Sequence, residues 1–401
     1  MKTAGRRLIG RGPAGNTWAQ MASMRLLALA CAGALLVTAA GGRSAGAAGG
    51  PLTVPSGFAV ERIASVPRAR ELAVAPNGDL FVGTYADAIY VVPDAEKNAG
   101  EPRRFVTIED RPLAGVFIAG EWLYAGGQFG VYRVPYRTGD REARAAAQKI
   151  ASVRPGGGTG HSTTTVALSK GVLYASVGSS CNACSETDPT RATVQAMAPD
   201  GKNVHPRAVD IRNAIALAVQ PESGDVWAGV AGRDDLEHGH PYEIFDAITA
   251  HSGTPDYGWT KCYDDRKPIG GASCAGVTLP KIVFPAYDTP IGAAFYPADQ
   301  KGAYAFPASY RGGVFVALHG SWHTPPVPPR VAFVAFKNGE PAKPVDWASP
   351  DAQWTEFGGG CQSSDGARAC RPTGIAVGTD GSLFVADDSG GAIYRIRPAR
   401  R

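Results

Sequence analysis

His161 stands at the end of a glycine-rich approach, Gly157-Gly158-Thr159-Gly160-His161-Ser162-Thr163-Thr164-Thr165, just ahead of the strand-like run Val172-Leu173-Tyr174-Ala175-Ser176-Val177. Glycines let the backbone come close to a ligand. Histidine is the side chain best poised to take a proton near neutral pH. These features together predict a general base; a turn histidine satisfied by backbone is the alternative. Arg212-Asn213 enters the apolar run Ala214-Ile215-Ala216-Leu217, where an arginine fork can hold an anionic oxygen or clamp a loop. Arg371, in Cys370-Arg371-Pro372-Thr373-Gly374-Ile375, enters its own apolar segment in the same way.

A third group is Gly229-Val230-Ala231-Gly232-Arg233-Asp234-Asp235-Leu236-Glu237, with Glu243 further on. Carboxylates and free carbonyls on a glycine loop suit a hard cation such as calcium, although the spacing is not that of an EF-hand and a solvated acidic loop is the alternative. His238 and His240 in the same loop lack a convincing third ligand for zinc or copper. Asp256-Tyr257-Gly258-Trp259 reads either as an aromatic wall for a flat ring or as core. His319-Gly320-Ser321-Trp322-His323 reads as a channel lining, with Arg330 as its cationic partner or as a solvated arginine.

These groups need elements that bring distant residues to one place. A unit recurs along the chain: a turn with Gly, Asn or Asp, then a strand rich in aromatic and β-branched residues, then small residues. Its six copies are 76–84, 120–127, 170–178, 222–229, 311–318 and 379–387. Several are preceded by an apolar segment (Leu72-Ala73-Val74, Ile215-Ala216-Leu217) and followed by another strand (Ile89-Tyr90-Val91-Val92, Val131-Tyr132-Arg133-Val134, Ile393-Tyr394-Arg395-Ile396). Turn-linked strands at this spacing predict an all-β, six-bladed β-propeller, with a sandwich or barrel as the alternative. The stretch 51–66 is expected to supply a strand that closes the last blade. The widest gap, from the fourth copy to the fifth, reads as long loops and contains 234–281.

Residues 1–47 read as a cleaved export signal, leaving 48–401 as a single propeller. Leu26 to Ala40 is apolar and too short for a confident membrane span, and Ala45-Gly46-Ala47 fits a cleavage site. Met21 and Met24 offer alternative starts, and Arg6-Arg7 an alternative twin-arginine signal. That leader holds six of the 40 basic residues and no acid, so the remainder carries 34 basic against 36 acidic residues. The basic balance is thus a targeting feature and argues for no nucleic acid and no stable membrane insertion. The expected location is periplasmic or secreted. Outside the leader the cysteines form three close pairs, Cys181/Cys184, Cys262/Cys274 and Cys361/Cys370. On an exported chain these read as disulfides, with a redox motif or metal ligation as alternatives for the first pair.

In order and spacing these stretches resemble the soluble sugar dehydrogenases that use pyrroloquinoline quinone, in their L-sorbosone and pyranose dehydrogenase branch. The resemblance runs from about Gly57 to Ile396. Its most specific parts are Gly160-His161, Gly178-Ser179-Ser180-Cys181-Asn182-Ala183-Cys184, Arg212-Asn213-Ala214, Gly232-Arg233-Asp234, Tyr257-Gly258-Trp259, His319-Gly320-Ser321-Trp322 and Ala386-Asp387-Asp388. It implies pyrroloquinoline quinone and calcium at the mouth of the propeller channel. His161 would take the proton of a substrate hydroxyl while hydride passes to the quinone C5, with calcium as Lewis acid. Arg212 and Asn213 would hold the quinone and offset charge on its oxygens, which makes Arg212 catalytic beside His161; Arg371 would pair with one of its carboxylates, and His319 and Arg330 would complete the cofactor site. Gly232, Arg233 and Asp234 would form the calcium loop, the first two through their carbonyls. Thr164 stands where the branch commonly has arginine, Thr260 where it has proline, and His323 where it has asparagine.

The substrate implied is an aldose or related sugar or aldehyde. The chain has no haem-attachment Cys-x-x-Cys-His, so electrons would leave to a separate cytochrome or quinone. A calcium-dependent propeller lactonase and a non-catalytic carbohydrate- or protein-binding propeller are the alternatives.

Overall fold

Each recurring unit forms the second strand of a four-stranded antiparallel blade. In the computed structural model, which describes residues 51–323 and 325–399, these second strands are Leu80–Thr84, Trp122–Gly126, Val172–Val177, Val226–Val230, Val314–Leu318 and Leu383–Asp387. The apolar segments ahead of them form the first strands: Ala69–Val74, Gly115–Ala119, Val166–Ser169, Ala214–Val219, Pro290–Phe295 and Pro372–Val377. The first strands pack against one another around the ring and line the central channel. The export leader lies outside the described residues, which belong to one compact unit. Among them no helix is long and apolar enough to cross a membrane.

The near-continuous apolar character of the strands follows from burial on both faces of every blade. In Val226–Val230, Val226, Ala228 and Val230 pack toward blade three, while Trp227 packs toward blade five. The period of two that separates strand faces thus feeds two different cores. Six such apolar seams lie between successive blades.

The N-terminal strand Phe58–Ser65 pairs antiparallel with Ala392–Pro398 and supplies the fourth strand of the last blade, as expected from 51–66. The three cysteine pairs are disulfides. The gap read as loops also holds two strands of blade four, Glu243–Asp246 and Ile282–Phe284, besides a small hairpin clipped by Cys262–Cys274.

In blades one, four, five and six the first strand carries a register shift within its first few residues. Such shifts re-aim side chains where a strand meets a site. Most of the chemically suggestive groups sit at this end, just before a first strand or just after a second; Glu243 and Arg330 begin third strands, and 256–259 lies in the connection between the third and fourth strands of blade four.

Deleting the chain through Ser65 leaves the Ala392–Pro398 edge unpaired and opens the ring. We expect the thermal transition to fall by roughly 10 °C or more and soluble monomer to be lost, as measured by thermal denaturation and gel filtration.

Candidate active site

His161 is locked by the loop that follows the second strand of its own blade. Its Nδ1 lies 3.1 Å from the Ser179 carbonyl and 3.0 Å from Ser179 Oγ, and the Ser179 hydroxyl is itself donated to the Cys181 carbonyl at 2.6 Å. Both partners of Nδ1 are therefore acceptors, so Nδ1 carries the proton and Nε2 keeps its lone pair. Burial, reinforced by the charge of Arg212, pushes the imidazole down to about 4. At neutral pH it is an unprotonated base.

Gly178 makes this placement possible. A Cβ there would lie 2.5 Å from both His161 Cβ and Asn213 Oδ1. That oxygen of Asn213 is buried and lacks a hydrogen-bond partner.

Two buried arginines brace the loop. Arg154 donates to the carbonyls of His161 (3.1 Å), Thr163 (2.8 Å) and Gln128 (2.6 Å) and to Thr164 Oγ1 (2.6 Å). Thr164 is fully buried, and its carbonyl sits where Gly126 has no side chain. The Thr164 hydroxyl thus accepts from a guanidinium that comes from position 154. Arg191 donates to Gly157, and more weakly to Gly178 and Ser179.

Arg212, also buried, bridges the disulfide loop and the glycine loop of blade four. It donates to the Asn182 carbonyl (3.1 Å), Asn182 Oδ1 (2.8 Å), the Ala231 carbonyl (3.2 Å) and Asp234 Oδ2 (3.0 Å). The disulfide Cys181–Cys184 closes the loop that presents Asn182 and the Cys181 carbonyl. This supports the staple reading of that pair. Cys181, Cys184 and Glu186 are the one cluster of possible metal-ligand atoms among the described residues, and both sulfurs are consumed in that bond.

The calcium-loop expectation divides. No hydrogen bond among the described residues goes to the carbonyl of Gly232 or Arg233, which leaves both oxygens open for a hard cation. The Asp234 carboxylate is instead engaged by Arg212, and the Arg233 side chain is bidentate to Asp235 at 2.7 and 2.8 Å. Glu243 anchors the loop from below. It accepts from Gly232 N at 2.6 Å and from Tyr287 N at 3.2 Å, and burial raises its carboxyl to about 8.

Across the channel, Arg371 donates to His319 Nδ1 at 2.7 Å, and His319 Nε2 lies 3.1 Å from both oxygens of Asp388. A guanidinium can only donate, so His319 is neutral with its proton on Nε2. Burial pushes it down to about 4. Against its own burial, Asp388 is held down to about 2 by His319, Arg70 and Arg371, with Arg70 at 2.7 Å.

Arg330 does not join this set through any contact. It pairs with the buried Asp288 at 2.7 Å and lies over the Trp354 ring. Its effect on the mouth is indirect, because the Asp288 carbonyl accepts from Gly320 N at 3.0 Å. Tyr257 and Trp259 are buried, the former bonded to Asp246 at 2.5 Å. The exposed aromatic surface lies elsewhere, at Trp322. Sequence reasoning did not single out Arg154, Arg191 or Tyr287, and it quoted Ser179 and Asn182 only as part of a resembling stretch, without a role. The one local signal was the Arg154-Pro155 step leading into the glycines.

Comparison with known proteins follows this geometry. The segment 245–399 matches the model of a family described as TrAA12-like. An uncharacterized protein of Borreliella burgdorferi is 28% identical over 194 residues, 47% of this chain, and the match spans about half (48%) of that protein. The holo PQQ domain of Coprinopsis cinerea pyranose dehydrogenase superposes with a TM-score of 0.74 at 17% identity, covering 86% of this chain and 97% of that one. The calcium structure of the Trichoderma reesei enzyme of carbohydrate-active family AA12 gives 0.73 at 19%, covering 87% and 98%. The PQQ-bound aldose sugar dehydrogenase of Streptomyces coelicolor gives 0.58 at 17%, covering 86% and 99%. This chain shares their propeller. At these identities the likeness concerns the fold.

Gly178→Ala forces its new methyl onto His161 or Asn213. We expect a loss of about 1–3 kcal/mol in chemical denaturation. In an NMR titration, His161 and His319 should stay neutral down to about pH 4. The unfolded chain binds those protons below about pH 6.5. Stability is therefore fully present above that pH and falls as pH drops toward 4, which acid-dependent melting would register.

Proposed function

We propose that this chain is an exported quinoprotein oxidoreductase that oxidises an aldose or related sugar or aldehyde. The observation that carries the reading is the convergence, at one channel mouth, of an imidazole with a free Nε2 lone pair, an unpartnered buried amide oxygen on Asn213 and the open carbonyls of Gly232 and Arg233. This donor set fits pyrroloquinoline quinone with calcium. The PQQ-bound and calcium-bound neighbours of the same fold support that fit.

Asn213 and Arg212 would hold the cofactor from blade four, Arg371 and His319 from the opposite side, and the two carbonyls the cation. When bound, the quinone supplies a two-electron acceptor and the cation a Lewis acid. His161 Nε2 takes the proton of the substrate hydroxyl, while Nδ1 keeps its own proton, donated to Ser179, throughout. Arg212 and Arg371 place positive charge where the oxygens gain negative charge. Asp388 and Arg70 hold His319 and, through it, Arg371 in place. Electrons leave to a separate cytochrome or quinone. The three disulfides are consistent with a periplasmic or secreted location.

Titration of the calcium-loaded protein with pyrroloquinoline quinone, followed by dye reduction with a panel of aldoses, tests this reading. Saturable uptake and sugar-dependent reduction are expected, with kcat/KM flat from neutral pH downward and an acid limb near 4. His161→Ala should lower kcat by at least about a hundredfold while quinone uptake persists. Unchanged turnover in that variant refutes the base. Absence of quinone uptake refutes the reading as a whole.

A further inference from the structure

Blade four holds a cavity that the oxidoreductase reading does not use. It lies between the mouth ends of that blade's strands and the connection 256–280 that covers them, and measures about 70 Å³. That is several times the ~15 Å³ that one water needs. His161, Asn213, His319 and Arg371 do not line it, whereas Gly232 and Arg233 do. The cavity therefore backs onto the segment whose carbonyls are open for a cation.

Its walls are largely aromatic. Tyr242, Tyr257, Trp259 and Tyr263 line it, with Ile244 and Val277 between them. The three phenol groups are committed to other partners: Tyr242 donates to the Trp347 carbonyl, Tyr257 to Asp246 and Tyr263 to Glu237. Ring carbon and aliphatic carbon are what remains for a guest, and they suit a flat ring. The walls are also pinned. The buried Asp264 carboxylate accepts from Tyr242 N at 2.8 Å, Arg266 donates to the Val277 carbonyl at 2.9 Å, and the Cys262–Cys274 disulfide closes the hairpin. A preformed cavity of this kind costs a ligand little ordering of the protein.

One cation stands at its edge. The Arg233 side chain is only 10% exposed. Its Nε and Nη2 are taken by Asp235, but Nη1 reaches only the Trp259 carbonyl, at 3.4 Å. That length lies beyond the usual range of an N–H···O bond. A guanidinium can only donate, so this edge calls for an anionic oxygen.

We propose that the cavity is an effector site for a small aromatic carboxylate, its ring among Trp259 and the three tyrosines and its carboxylate on Arg233 Nη1, and that occupancy strengthens cation binding at Gly232 and Arg233. The link is electrostatic. The guanidinium belongs to a residue whose carbonyl would hold the cation, and a carboxylate brought onto it cancels part of the repelling charge. A neutral ring leaves the loose N–H poorly served, and a carboxylate without a ring leaves the walls unfilled. The binding site stands on the cavity alone; its effect on the cation rests on the proposed reading of Gly232 and Arg233.

The probe is 4-fluorobenzoate, followed by fluorine NMR with the full mature protein, and 4-fluorobenzamide is its uncharged counterpart. Saturable binding at millimolar concentration or below is expected, about tenfold weaker for the amide and in Arg233→Met. Val277→Phe fills the cavity and should abolish binding at an unchanged melting temperature. Arg371→Met, at the channel mouth, should leave binding as it is. In a calorimetric calcium titration, saturating probe should raise the calcium affinity about threefold, and calcium should raise the probe's affinity by the same factor.

No saturable binding overturns the proposal. So does binding that survives Val277→Phe or disappears in Arg371→Met, since either puts the probe at another surface. If Val277→Phe does not fold, the amide and the Arg371→Met comparison still decide. Equal binding of the amide, or full affinity in Arg233→Met, overturns the role of the guanidinium. A calcium affinity that the probe does not move, or no calcium uptake at all, overturns the effect on the cation. Quinone uptake is scored separately: its failure beside intact probe binding and an intact calcium shift removes the oxidoreductase reading and leaves this site standing.

Discussion

Closure of the ring is the constraint on which the rest depends. His161, Arg212, Asn213, Gly232, Arg233, His319 and Arg371 sit just before a first strand or just after a second, and these ends meet because six blades pack edge to face around one axis. Each blade buries both faces, so no seam can slip without disturbing the next. The strand Phe58–Ser65 removes the last free edge by pairing with Ala392–Pro398. Residues as far apart as Arg70 and Asp388 become an ion pair through that closure.

The second theme is buried positive charge. Arg154, Arg191 and Arg212 direct donors at backbone carbonyls of the loops around His161, while Arg371 donates to the His319 ring and Arg70 to the Asp388 carboxylate. Guanidinium groups suit this work because they donate in several directions and stay charged when desolvated. The consequence is electrostatic. Both histidines are kept neutral, and the mouth is preset to receive negative charge without rearrangement. The anionic groups that balance it, Asp234 and Asp388, each accept from arginine.

The fold was legible because burial on both faces imprints a repeated apolar pattern on each blade, and the second strands carry it most clearly. Glu243–Asp246 and Ile282–Phe284 escaped notice because short strands inside a long, irregular connection show no period. His161, Arg212, Asn213 and Arg371 were legible because a polar residue entering an apolar strand is costly to bury and stands out. Arg154 and Arg191 act from a distance on carbonyl groups, which any sequence possesses, so beyond the Arg154-Pro155 step nothing local marks them. Tyr257 and Trp259 read either as a ligand wall or as core and are buried, whereas Tyr287 attracted no notice and stacks at the rim.

The sequence by itself determined the number of blades, the closing strand, the three disulfides and the residue types available for proton and anion chemistry. These follow from local pattern and composition. Tertiary structure alone decided which nitrogen of each histidine carries its proton, that Asp234 faces Arg212 and His323, that Arg330 serves Asp288, and that the Thr164 hydroxyl accepts from Arg154. Those outcomes depend on contacts between residues far apart in the chain, some within a blade (His161 with Ser179, Arg330 with Asp288) and some between blades (His319 with Arg371, Asp234 with His323). Such contacts exist only once the blades have folded and packed and have set distant strand ends side by side.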